Sequence, residues 1–193
     1  MMKPIFISLL LTSLLFSASS QACKPGDLGA CQSNLDLVNN ALAAENAGDD
    51  ITASKMYALA AKRYKLDVCL VAGRVNYLSA SSNAEMTRAL RWYISGAERQ
   101  VADCQYWAAT ISEELRNAPQ AIYWYLRAID QQHGNAAFQL ALMYFSGDLV
   151  EQDIPKAKKY FAIAAKYGSD TIKQSAAAAL RKLENKQENY KAD

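Results

Sequence analysis

The chain has 193 residues, 51% of them hydrophobic, and 21 Lys and Arg stand against 19 Asp and Glu for a net charge of +2. A charge this close to balance excludes the strong pull toward nucleic acid or anionic lipid that a basic chain has. One histidine, His133, argues against hydroxyl-nucleophile triads and against most transition-metal sites.

The opening residues carry the three parts of a secretory signal. Lys3 supplies the positive end, Ile5 to Phe16 the apolar stretch, and Ala18 to Ala22 a small-residue exit. The apolar run is too short for a comfortable transmembrane helix, so residues 1–22 are expected to be removed on export, with cleavage after Ala22 or after Ser20. Lipid attachment at Cys23 is the alternative. Against it, Ser20 stands where such sites usually carry Leu, and an odd number of cysteines would remain. Roughly 170 residues are then left, enough for one domain with a continuous core.

Residues 23–34, with Pro25, Gly26 and Gly29 between Cys23 and Cys31, read as a turn-rich lead-in. Asn34 is placed to cap a first helix with Leu35, Leu37, Val38, Ala41 and Leu42 as its apolar set. Asp49-Asp50 opens a partner helix that turns Tyr57, Ala60 and Ala61 inward. The stretch from His133 to Gly168 states the same hairpin most clearly. Ala136, Leu140, Met143 and Tyr144 share one helix face, and Ala157, Tyr160, Phe161 and Ala164 share another. Asp153 sits at an N-cap, Pro155 in the first turn where its missing N–H costs nothing, and Gly168 where a helix stop belongs.

The second half of this hairpin recurs. Asp153-Ile154-Pro155-Lys156-Ala157 corresponds to Asn117–Ala121, Glu85–Ala89 and Asp49–Ala53. The aromatic or Met pairs Met56-Tyr57, Trp92-Tyr93, Trp124-Tyr125 and Tyr160-Phe161 follow in register, then Ala60, Gly96, Ala128 and Ala164. Spacings of about 32 to 36 residues are those of stacked helix–turn–helix solenoids. A last helix is expected from Thr171 to about Asn185, capped by Ser169 or Asp170, with Ile172, Ala176, Ala179, Leu180 and Leu183 inward. Its polar outer face suits the end of a repeat array, and residues 186–193 read as a fraying polar tail.

These units resemble Sel1-like repeats, relatives of the tetratricopeptide repeat. The last unit carries the family marks Ala136, Leu140, Tyr144, Gly147, Val150, Asp153, Lys156, Ala157, Tyr160, Phe161, Ala164, Ala165 and Gly168. It departs at Ala141 and Leu149, where the family prefers Gly. The resemblance runs over roughly Leu35 to Leu183, with the repeat domain at 35–185. It implies an all-α, right-handed solenoid of about four hairpins plus a capping helix. With the signal it implies a bacterial periplasm, and a non-enzymatic module that binds another protein and needs no cofactor or metal. Two uses follow from the resemblance: an immunity protein that neutralises a type VI secretion effector such as a phospholipase, or an envelope adaptor for a secretion, polysaccharide or motor complex. A β-lactam-binding or hydrolysing enzyme is a distant third.

Cys69 and Cys104 occupy the place of Ala136 in the second and third units, where a solenoid brings neighbouring backbones together. Four cysteines in an exported chain favour disulfides, and Cys69–Cys104 with Cys23–Cys31 is the expected pairing among three possible ones; the alternative is a free buried thiol at each position. The third and seventh positions of each first helix point away from the core stripe on a 100° wheel, which lines up Val71, Tyr106 and Phe138 with Val75, Thr110 and Leu142. Flanked by Arg74 and Trp107, this ridge is the expected partner surface; the alternative is that these side chains fill the groove between neighbouring first helices. Glu113-Glu114 and Asp49-Asp50 are acid pairs better explained by solvation and capping than by catalysis. His133, in an inter-repeat turn, is expected to be solvated.

Overall fold

The computed structural model describes the backbone of residues 28–192 and the side chains of 37–63 and 65–185. The proposed signal, Cys23 and the Cys31 side chain lie outside the described residues. Among those residues there are nine helices and no strand: α1 (Leu28–Asn46), α2 (Asp50–Tyr64), α3 (Val68–Ser79), α4 (Asn83–Glu98), α5 (Ala102–Glu114), α6 (Ala118–Asp130), α7 (Gly134–Ser146), α8 (Ile154–Tyr167) and α9 (Asp170–Ala192). None of them is long and apolar enough to cross a membrane. The chain divides after Gly96 into two compact units, 1–96 and 97–193.

Two ends differ from expectation. Helix α1 begins at Leu28, inside the segment expected to be a turn-rich lead-in, because Pro25 and Gly26 are the last strong breakers before it. Helix α9 extends to Ala192, beyond the end expected near Asn185.

The repeated acidic or amide positions act mainly as caps. Asp49, Asn117 and Asp153 accept hydrogen bonds from the backbone N–H groups of Thr52, Gln120 and Lys156, at the starts of α2, α6 and α8. Glu85 departs from this set. Ser82 accepts from the Glu85 N–H, and the Glu85 carboxylate reaches back to Ser81, so Glu85 lies inside α4 as the second half of a capping box. The aligned mark has slipped by three residues there.

In the first unit Val38, Ala41, Ala53, Tyr57, Ala60, Val71, Ala72 and Val75 form one buried cluster. Gly73 admits the Tyr93 ring, for a Cβ there would lie 2.8 Å from it. In the second unit Ala108, Ile111, Ala121, Tyr125, Ala136, Leu140, Phe161 and Ala164 are buried. Gly168 ends α8 without the left-handed conformation of a glycine stop; its φ is −69° and ψ 170°. Close approach explains it instead. A Cβ on Gly134 would fall 2.1 Å from the Gly168 nitrogen, so these two backbones touch where a side chain cannot fit.

Candidate partner-binding groove

The expected surface ridge is only partly exposed. Val71 and Val75 are 4% and 3% exposed and belong to the first unit's core, which corrects their placement on a solvent face. Helix α3 is apolar on most of its circumference (Val68, Cys69, Leu70, Val71, Ala72, Val75), so it is covered on more than the single stripe assumed. Arg74 is half-buried, close enough to Tyr93 to act on its phenol. Tyr106 is half-buried and stacked on His133 at 4.8 Å, with Trp107 edge-on to it at 5.4 Å. Phe138 is half-buried edge-on to Phe161 at 5.6 Å. Leu142 is exposed.

His133 is not the solvated turn residue expected. Its Nδ1 accepts the Ala136 backbone N–H at 3.1 Å, making it the N-cap of α7, and its Nε2 lies 3.1 Å from Asp103 Oδ1. With Nδ1 committed as acceptor, Nε2 carries the proton and donates to the carboxylate. That hydrogen bond, against the opposing effect of desolvation, holds the Asp103 carboxyl below its ordinary value.

Cys69 on α3 and Cys104 on α5 are both buried and both disulfide-bonded, so neither offers a free thiol.

Among the described residues every buried side-chain polar atom has a hydrogen-bond partner. Glu45, 8% exposed at the end of α1, accepts from the Tyr57 hydroxyl (3.1 Å), the Asn76 amide (2.8 Å) and the Trp92 indole N–H (2.9 Å), one donor each from α2, α3 and α4. Burial first, then the adjacent Glu45 charge, pushes the Tyr57 phenol well above its ordinary range. Tyr125 donates likewise to Glu113 at 2.7 Å, and burial raises its phenol too. A shallow hollow of about 260 Å³ adjoins Glu45, lined also by Asp50, Arg91 and Trp92.

The larger opening is in the second unit, a groove of about 710 Å³ bounded by α7, the start and middle of α8, and α9. Its walls are apolar: Leu142 and Phe145 from α7, Ile154 and Phe161 from α8, Leu183 from α9. Leu142 is 38% and Phe145 42% exposed, although both are large hydrophobes beside a core. Water-facing apolar side chains gathered in a concavity mark an interaction site. Of the residues expected from the sequence to bind a partner, Leu142 is the one that lines this groove. Phe145 was missed because its neighbour Tyr144 carries the repeat mark. Lys182 was missed because a lysine on a terminal helix reads as plain solvation.

Three stretches, residues 82–101, 103–133 and 134–169, match the Sel1 repeat family. They take in α4, then α5 with α6, then α7 with α8. No curated protein matches the chain. Sel1 repeats generally mediate protein–protein interaction and are typically non-enzymatic. From α4 to α8 the chain is therefore built of Sel1 repeats, whose helical hairpins are of the kind that stack as an α-solenoid, and the groove lies on the last of them.

Proposed function

We propose that the chain is an exported, non-enzymatic binding module that holds a partner protein in the apolar groove of α7, α8 and α9. The observation that carries this reading is the joint exposure of Leu142 and Phe145 in a concavity of a Sel1 repeat. Burying the remaining exposed area of these two side chains against a partner supplies about 1–2 kcal/mol, which a solvated surface forgoes. The signal-like residues 1–22 support a periplasmic site of action, and two buried, disulfide-bonded cysteines fit an oxidising compartment. A pairing of Cys69 with Cys104 belongs to the same proposal.

The partner proposed is a toxic effector delivered by type VI secretion, with this chain as its immunity protein. A repeat array that binds through a surface groove suits stoichiometric inhibition. Affinity capture from periplasm with wild type and a Leu142→Ser/Phe145→Ser double variant tests the groove, with at least tenfold less partner recovered by the variant as the expected result. Equal recovery overturns the groove as the binding surface. Deletion tests the biological role: loss of the chain is expected to harm the cell only while the captured partner is made.

A further inference from the structure

Resting on that reading, we infer that the occupant of the groove is a single amphipathic α-helix of the partner, carrying a carboxylate that meets Lys182. The walls decide the conformation. They are side chains of three helices, and the described residues contain no strand edge to which an extended peptide could add. A bound strand would bury backbone N–H and C=O groups against Leu142, Phe145 and Phe161 with nothing to satisfy them. A helix satisfies its own backbone and offers only side chains, which is what an apolar groove receives at lowest cost.

The α9 wall has the matching form. Ser175, Ala178, Ala179 and Lys182 all line the groove, at the spacing i, i+3, i+4 and i+7 that places four residues along one helix face. With two alanines at its middle this wall is low, so a second helix axis can approach closely, and the apolar anchors project toward Leu142 and Phe145 on the other side.

Charge selects the partner's polar edge. Among the described residues, Lys182 is the one charged side chain lining the groove, no acidic one lines it, and Lys182 makes no ion pair. An acidic residue beside the partner's apolar stripe is therefore favoured there, and a basic one is repelled.

The test selects from a display library of 16-residue peptides on the folded wild-type protein and on Lys182→Glu, with circular dichroism to show that both are helical and melt alike. Peptides enriched on wild type are expected to repeat apolar residues at i, i+3 or i+4 and i+7, with one enriched acidic position. On Lys182→Glu that position is expected to turn basic, and each acidic peptide to bind the variant about fivefold more weakly. Peptides with a period of two, unchanged charge preference on the variant, or no enrichment would each overturn the inference. None of these would disturb the binding function, which stands or falls on capture of the natural partner by Leu142→Ser/Phe145→Ser. A substitution that loses that partner while the library yields no helix separates the two.

Discussion

The two units carry the same pair of residues 12 positions apart, Glu45 with Tyr57 in one and Glu113 with Tyr125 in the other, and use it differently. In the first unit the carboxylate is buried and collects donors from α2, α3 and α4, so one side chain ties four helices together. In the second the carboxylate is half-buried, and its tyrosine also sits 3.4 Å from Thr110 Oγ1. A repeat conserves the place of a residue along the chain, while the neighbours that close over it set its energetic weight. The first unit has turned the position into a polar hub. The second keeps it as a local tie and leaves apolar surface open elsewhere, at Leu142 and Phe145.

The sharpest way to break this contrast is to truncate both carboxylates. Glu45→Ala takes the acceptor from the buried Tyr57 hydroxyl and the half-buried Trp92 N–H, while the Asn76 amide keeps Ala72 O, and is expected to cost about 3 kcal/mol, against about 1 kcal/mol for Glu113→Ala, measured by urea unfolding. Equal losses would mean that the hub is no more than a second local tie. The tight glycines give a smaller difference in the opposite sense. Gly134→Ala drives a Cβ into the backbone of Tyr167 and Gly168 and is expected to cost about 3 kcal/mol; Gly73→Ala presses on the Tyr93 ring and is expected to cost about 2 kcal/mol. Thermal melting of the two variants should rank them in that order. The smallest effect concerns acid. The folded-state value of Asp103 lies below its unfolded value, so its contribution is complete above about pH 4 and is lost as pH falls through the folded value. Asp103 is exposed and well screened, so Asp103→Asn should flatten the acid limb of the melting curve only slightly. His133→Ala should abolish that slight dependence as well, since it removes the hydrogen bond that holds the carboxyl down.

The sequence pattern made the helices legible because packing along a repeat is local. Ala53, Ala89, Ala121 and Ala157 recur in register and all are buried, as are Tyr57, Tyr93, Tyr125 and Phe161. Ala176 and Leu183 on α9 are buried as its apolar face predicts. What escaped depends on distance or on backbone. The donors to Glu45 come from 12, 31 and 47 residues away, a convergence that no local period encodes. The turns at Lys65, Gln100, Arg116 and Gln132 adopt positive φ without glycine, so the usual punctuation is missing where the chain reverses. Glu85 shows the cost of aligning by residue type alone, since a carboxylate serves either as a cap or three places further in. Half the groove was hidden for a related reason. Phe145 and the half-buried Ile154 flank the long turn 147–153, and their place in the groove follows from how that turn is laid down rather than from any helical face.

The contact of Gly134 with Gly168 makes the last hairpin asymmetric. At that end two main chains lie against each other and act as a clasp; at the far end seven residues of turn join α7 to α8 beside Leu142, Phe145 and Ile154. A side chain at Gly134 would therefore pry the start of α7 from the end of α8, so the spacing of two walls of the groove rests on a residue that has none.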